Sequence, residues 1–152
     1  PNPNSLDDNN KKIIEETKTV PESIGKFLNE FKFRHAIKSL MNLARSGNKY
    51  LAESEPWKLQ KSNPEKVKEI LYVGYIIICY ITILSEPFLP FTSKKLKSQL
   101  NLEAIKDWND LDNLNTKIDF SFQIQSEEVL FRKIEDDEIK RQIEKLNKMS
   151  SQ

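Results

Sequence analysis

The sequence predicts an all-α protein, a bundle of five or six helices, and three stretches carry that prediction. In residues 33–57, apolar side chains recur at steps of three and four, which is the pattern of an amphipathic helix. Residues 70–84 form an apolar run that follows a helix-start signal, and residues 135–148 repeat apolar positions among paired charges. At 152 residues, the chain has the length of one domain that can bury a real core.

Two helices are predicted in the first part of the chain. Residues 1–5 have the composition of a loop, and a short helix follows from Leu6 to Lys18. The segment Thr19–Glu22 has capping-box spacing and a proline near its start, which predicts the beginning of a second helix. The apolar face of that helix is Ile24, Phe27, Leu28 and Phe31. We expect a break near Lys32 before the next helix.

The helix over residues 33–57 carries its apolar stripe on Phe33, Ile37, Leu40, Ala44 and Leu51. Asn48 falls on the same stripe, so we predict that its amide is buried and hydrogen-bonded to a neighbour. Pro56 cannot continue a helix, and the residue before a proline leaves the α region. The helix therefore ends there, and Trp57 is predicted to be exposed at the end of the bundle.

The apolar run 70–84 is compatible with a membrane span, a strand or a buried helix. Its 15 residues fall short of the roughly 18–20 that a span needs, and charged residues lie close to both ends. The β-branched content favours a strand, but Asn63-Pro64 has the pattern of an N-cap and first residue of a helix that reaches Glu86. A helix that is apolar all round is buried in a bundle, so we predict that this helix is central.

The chain becomes less regular after Glu86. Two prolines end the central helix, and Thr92 or Ser93 is predicted to cap a short basic helix. Residues 101–125 are rich in Asn and Asp and weakly patterned, which indicates a loop with one turn around Leu102–Trp108.

The C-terminal part is predicted to be a short extended patch at 129–131 followed by a helix. That helix, residues 135–148, has an inward face of Ile139, Ile143 and Leu146. The predicted division of the chain is a helical bundle, an irregular connection, and a C-terminal tail and helix, at residues 1–101, 102–126 and 127–152.

The charge of the chain is unevenly distributed. The formal net charge is only +1, but residues 31–68 hold nine basic and three acidic residues, a local net charge of +6. Positive charge is therefore concentrated around the 33–57 helix, where a polyanion would dock. A basic helix with an exposed aromatic at its tip is suited to stacking on a nucleic-acid base.

Several kinds of chemistry are excluded by the residues present. One cysteine, Cys79, and one histidine, His35, exclude a disulfide framework and any zinc site built from these residue types. The three glycines form no phosphate-binding loop, and no nucleophile–base constellation is supported. The acidic run at residues 135–138 is typical of a solvated helix start. We therefore expect no catalysis, metal or cofactor in this chain.

The two ends of the chain suggest its context. The polar, acidic start has no signal-peptide pattern, so we expect a cytoplasmic protein without a membrane role. The start has a loop composition without Met and the end reads KMSSQ, so we also expect a piece of a longer protein.

Three blocks of sequence form a recognisable pattern. They are Ala36-Ile37, Leu40-Met41-Asn42-Leu43-Ala44, Asn48-Lys49-Tyr50-Leu51 and Glu55-Pro56-Trp57; then Ile83-Leu84-Ser85-Glu86-Pro87-Phe88-Leu89-Pro90 with Leu96 and Leu100; and Leu130-Phe131-Arg132-Lys133-Ile134-Glu135-Asp136. Together they resemble the anticodon-binding domain of methionyl-tRNA synthetases. The resemblance extends over nearly the whole chain, and its most specific part is the block that ends at Pro56-Trp57.

The resemblance implies an all-α bundle, the anticodon-binding domain of class I aminoacyl-tRNA synthetases, with an irregular C-terminal tail and final helix. Its partners would be the CAU anticodon stem-loop of a tRNA and an upstream catalytic domain that binds ATP and methionine. Trp57, positioned by Pro56, would stack on an anticodon base. Basic side chains would contact the phosphates of the anticodon stem, with Asn48 in support: Arg45, Lys49, Lys58 and Lys61.

The chain departs from the family pattern in two places. The family's other anticodon-reading residues, an Asn and an Arg four apart, have no match, because Asn42 and Arg45 are three apart on a later helix. We expect the matching helix upstream of residue 1. Lys148-Met149-Ser150-Ser151 imitates a catalytic loop of these enzymes but lies after the bundle, so we interpret it as chance. By resemblance alone, residues 127–146 would pack back on the catalytic domain.

Two alternatives stay open at this stage. The chain could be the anticodon-binding domain of another class I synthetase, although the Asn48-to-Trp57 block argues against this. It could also be a helical protein-interaction module with no RNA role. Burial of Trp57 inside its own bundle would favour the second alternative.

Overall fold

The computed structural model describes residue 3, residues 5–114 and residues 129–149. The described residues form six α-helices and one 3₁₀ helix, with no strand among them. The α-helices are α1 Asp8–Asn29, α2 Phe33–Ser54, α3 Pro56–Leu59, α4 Pro64–Leu84, α5 Pro90–Gln99 and α6 Asp136–Met149. The 3₁₀ helix is Trp108–Asn113. The predicted all-α class is confirmed.

The first two predicted helices are one helix, so the break predicted at Thr19 is wrong. The Thr19 hydroxyl donates to the Glu16 carbonyl 2.8 Å away, within the helix, and does not cap a new start. Pro21 lies inside α1 and removes one backbone donor from it. Packing against α2 and α4 holds this helix together through the proline.

The break predicted near Lys32 is confirmed. Phe31 has a φ of 57°, which is left-handed backbone and rare for a side chain of this size. The chain reverses there, and α2 returns along α1, as the ring contact of Phe27 with His35 shows at a centroid distance of 5.4 Å. Helix α4 in turn runs antiparallel to α2, so the end of α2 and the start of α4 share one end of the bundle.

The predicted buried stripe of α2 is displaced around the helix. The residues that are buried are Ala36, Leu40, Leu43, Gly47 and Tyr50. Phe33 and Ile37 are about half exposed, and Asn48 is on the surface, so the prediction of a buried Asn48 amide is wrong. The physical reason is Gly47, whose missing side chain lets α2 approach α4: a Cβ there would lie 3.0 Å from Ile77 Cγ2.

Helix α4 is the centre of the bundle, as predicted. Asn63 caps it by accepting a hydrogen bond from the Lys66 backbone N–H at 3.1 Å, and Pro64 is its first residue. It packs against α1, α2, α3 and α5 and contributes much of the core. In length and apolar composition α4 would also suit a membrane span, and among the described residues it alone does. Its burial within the bundle accounts for that composition.

Helix α5 begins at Pro90, so the predicted caps at Thr92 or Ser93 are wrong. Ser93 is fully buried, and its hydroxyl donates to the Thr82 carbonyl 2.7 Å away, which ties α5 to α4. The turn predicted near Leu102 is present, since the Ile105 N–H bonds the Leu102 carbonyl at 2.9 Å.

Residues 102–114 contribute more to the core than a loop would. Their buried side chains are Leu102, Ile105, Leu111 and Leu114. A capping box at Asp107 and Asp110 starts the 3₁₀ helix, and the Tyr80 hydroxyl donates to the Leu111 carbonyl at 3.2 Å. The rest of the predicted connection, 115–128, lies outside the described residues.

Helix α6 forms close to its predicted bounds, but its predicted inward face is exposed. Ile139 and Ile143 are each about half exposed, and none of its residues is buried. The patch at 129–131 is bent and not extended, so that prediction is wrong. The division of the chain into three parts stays a prediction.

Candidate nucleic-acid interface at the end of the bundle

A sharp change of chain direction separates α2 from α3. Glu55 has φ 43° and ψ 53°, a left-handed conformation, and its N–H closes the last turn of α2 on the Leu51 carbonyl at 3.1 Å. Pro56 then starts the one-turn helix α3 with its fixed φ. The sequence therefore folds here into a corner whose two sides are α2 and α3.

The corner turns Pro56 inward and Trp57 outward. Pro56 is buried and Leu59 packs against the core, so these two residues fix α3 on the bundle. Trp57 lies between them and is 62% exposed. An indole with most of its surface in solvent does not plug the end of the bundle, and its faces are accessible to a planar partner.

The four predicted phosphate-contacting residues are all exposed but are not equally available. Lys58 pairs with Glu55 at 2.7 Å, and Lys49 pairs with Glu53 at 3.7 Å. The Arg45 guanidinium donates to the Asn42 side-chain oxygen at 3.1 Å, about 13 Å along the helix axis from the last residue of α2. Exposed pairs of this kind contribute little, so a phosphate group could replace the carboxylates.

Lys61 and Asn48 complete the predicted set. Lys61 follows α3 and has no ion pair within the described part of the chain. Asn48 is exposed near the end of α2, which leaves its amide free to meet a partner from outside the bundle. The structure thus brings Trp57, Lys58 and Lys61 onto neighbouring turns, with the other three along α2.

A polar cluster that the sequence did not predict joins three helices at this end of the bundle. The Lys66 ammonium bonds the carboxylates of Asp7 and Glu69, the latter at 2.7 Å, and the Asp7 backbone N–H also donates to Glu69. The buried Tyr50 hydroxyl donates to the Asn10 side-chain oxygen at 2.9 Å. The start of α1 is therefore fixed to both α2 and α4.

The electrostatics of this cluster follow from its contacts. The hydrogen bond from Lys66, aided by the Asn10 backbone N–H, lowers the pKa of Asp7. Burial raises the pKa of Glu69, but hydrogen bonds from Lys66, Asn10 and the Asp7 backbone outweigh it, so that this pKa is also lowered. Both carboxylates therefore bind protons less readily in the folded chain than in the unfolded chain.

We expect the free energy of unfolding to fall as the pH drops through and below the ordinary carboxyl pKa range of 3.8 to 4.5. A lowered folded pKa contributes stability that is fully present above the unfolded pKa and is lost as the pH falls through the folded pKa. Urea unfolding of the chain at a series of pH values measures this. The Asp7→Asn, Glu69→Gln double variant should show a flatter acid dependence, and an equally steep dependence would contradict the assignment.

The largest cleft among the described residues lies elsewhere. It has a volume of about 680 Å³ and runs between α1 and α2, lined by both polar and apolar side chains. Tyr50 borders it, but neither Trp57 nor Lys58 does. The candidate interface is therefore an exposed corner and not a cavity, which suits a flat base better than an enclosed ligand.

Comparison with known proteins identifies the family. The family described as "Anticodon binding domain of methionyl tRNA ligase" matches residues 1–151. The chain is 42% identical over 146 residues to a methionine–tRNA ligase of Flavobacterium psychrophilum, covering 96% of the chain and 21% of that relative. It is 44% identical to the corresponding ligases of Christiangramia forsetii (96% of the chain, 22% of the relative) and Bacteroides fragilis (93% and 20%).

These matches decide between the alternatives that the sequence left open. The chain spans about a fifth of the length of the curated relatives that it matches. The family match extends over nearly the whole chain and is specific to the methionyl ligases among the class I synthetases. The predicted resemblance is confirmed, and the chain belongs to the family of anticodon-binding domains of methionyl-tRNA ligases.

Proposed function

We propose that this chain recognises the CAU anticodon stem-loop of a tRNA on behalf of a full-length methionine–tRNA ligase. The observation that supports this most directly is the exposed Trp57 indole, held at a rigid corner by the buried Pro56. Single-stranded bases are commonly recognised by stacking on aromatic side chains. In the proposal, an unstacked anticodon base lies against Trp57.

The cationic side chains near the corner supply the second part of the proposed interface. Lys58 and Lys61 flank the indole in the chain, and Arg45 and Lys49 lie along α2. They would bind backbone phosphates of the anticodon stem, which position the tRNA without reading its sequence. Asn48, being exposed, would donate or accept a hydrogen bond at the same surface.

The chemistry of aminoacylation would belong to the remainder of the full-length protein. The chain spans about a fifth of its relatives' length, and those relatives are named methionine–tRNA ligases. ATP and methionine would bind a catalytic domain outside this chain, in the cytoplasm. The proposed contribution of this chain is to select the tRNA that reaches that domain.

Replacing Trp57 by alanine in the full-length ligase is expected to lower kcat/KM for tRNA charging about 5- to 150-fold, the equivalent of one lost stacking interaction. The melting temperature and the ATP-dependent activation of methionine should stay close to those of the parent, because the indole is exposed. Aminoacylation assays with varied tRNA concentration, an activation assay without tRNA and a thermal melt measure the three quantities.

The second tryptophan provides a matched control. Trp108 is half-buried and lies against Gly25 of α1, where a Cβ would be 3.7 Å from its ring. Trp108→Ala should lower the melting temperature and reduce charging only in proportion to the folded fraction. If Trp57→Ala charges tRNA like the parent while melting like it, the stacking role is wrong.

A further inference from the structure

The Tyr50 hydroxyl forms the one printed side-chain hydrogen bond that ties the end of α2 directly to α1. The phenol is 7% exposed and its acceptor, Asn10, is 2% exposed, so the bond is shielded from water. Asn10 belongs to the first turn of α1, which Asp7 caps through a 2.7 Å bond to the Asn10 N–H. The bond therefore joins residues 40 positions apart in sequence.

The position of Tyr50 relates this bond to the corner. Tyr50 precedes the left-handed Glu55 by a little more than one helical turn, and Trp57 follows two residues later. Burial raises the pKa of Tyr50 to about 12, although a hydrogen bond with Ser54 acts in the opposite direction. The phenol thus stays protonated at neutral pH and contacts both α1 and the last residue of α2.

The remaining contacts of the corner leave its direction dependent on the end of α2. Helix α3 is a single turn, and Lys58 holds it to Glu55 by a surface pair only. Pro56 and Leu59 pack against the core but make no polar contact that fixes an orientation. A small rotation of the last turn of α2 would therefore move the indole relative to the bundle.

We propose that Tyr50 is a positioning residue for Trp57, fixing the last turn of α2 against α1 so that the indole leaves the bundle in one direction. This inference rests on the proposed function, because it gives Tyr50 a role in tRNA recognition without contact with the tRNA. Recognition of a base by stacking requires the ring at a defined place, so loss of the anchor should weaken tRNA binding and spare the chemical step.

The test is Tyr50→Phe in the full-length ligase, which removes only the hydroxyl. We expect KM for tRNA to rise about three- to tenfold, as for one buried hydrogen bond, with kcat and methionine activation unchanged. Asn10→Ala removes the acceptor from the α1 side and should raise the same KM. This second variant reports on the bond even if one of the two variants folds poorly.

Tyr80→Phe is the matched control, because Tyr80 is also buried and its hydroxyl donates to a backbone carbonyl, that of Leu111. It should lower the melting temperature about as much as Tyr50→Phe without changing KM for tRNA. If both variants change KM equally, or if neither does, Tyr50 has only a structural role and the inference is overturned.

A double-mutant cycle separates this inference from the proposed function. If Tyr50 acts through Trp57, then Tyr50→Phe should have little further effect on KM in the Trp57→Ala background. Additive effects would overturn the positioning role while leaving the stacking role intact. A Trp57→Ala ligase with the parent's KM would overturn the proposed function itself, and this inference with it.

Discussion

Leu43→Ala is expected to lower the free energy of unfolding of the chain by about 2–5 kcal/mol. Leu43 is 6% exposed and lies on the face of α2 that packs into the core. Truncation removes buried methyl groups and leaves a cavity that the antiparallel helices close only in part. Urea unfolding followed by circular dichroism measures the loss.

Ile37→Ala is the matched control for the orientation of α2. Ile37 removes as much side chain but is 44% exposed, so we expect a loss below about 1 kcal/mol. The ratio of the two losses reports which face of the helix is buried. Equal losses, or a larger loss for Ile37, would show that α2 is rotated relative to the structure.

Gly47→Leu is expected to destabilise the chain by about 1–3 kcal/mol or more, because it overpacks the contact between α2 and α4. A Cβ at this position would lie 3.0 Å from Ile77 Cγ2, which belongs to a β-branched side chain that cannot turn away freely. The helices must separate to admit a larger side chain. A thermal melt of the variant gives the sign and the size of the effect.

Gly25 offers the matched comparison inside a helix. A Cβ there meets only Trp108 Cζ3 at 3.7 Å, an ordinary contact, so Gly25→Ala should gain up to about 1 kcal/mol of helix propensity. Gly47→Ala should fall between the two variants, since the same gain is opposed by the Ile77 contact. A Gly47→Leu chain as stable as the parent would mean that α2 and α4 are further apart than described.

The sequence predicted the elements that depend on local chemistry. The cap at Asn63 and the proline after it set the start of α4, and both are determined by neighbouring residues. The end of α2 at Pro56 has the same origin. The central place of α4 also followed directly, because a helix that is apolar all round has only one environment available in water.

The features that failed depend on contacts between helices. Two overlapping stripes fit α2, and only the close approach at Gly47 decides which of them is buried. The proline in α1 was misinterpreted because local propensity favours a break, whereas packing against two neighbours maintains the helix. The core residues of 102–114 lack a period, so their burial was not visible in the pattern.

At the candidate interface, the sequence located Trp57 and the cations but not the groups behind them. The exposure of Trp57 followed from Pro56, a neighbour in the chain. Tyr50 and Asn10 are 40 positions apart, and nothing local to either residue indicates their bond. The pair of Lys66 and Glu69 had a visible spacing, but its partner Asp7 lies 59 residues away from Lys66.

The left-handed conformation of Glu55 makes position 55 sensitive to the shape of its own backbone rather than to its neighbours. Glycine and asparagine adopt such torsions readily, whereas valine, isoleucine and threonine resist them. A substitution there could redirect the chain without removing a single side-chain contact from the core. The course of the polypeptide into α3 is thus governed by one pair of torsion angles, and among related chains small or amide side chains should be the easiest replacements at this residue.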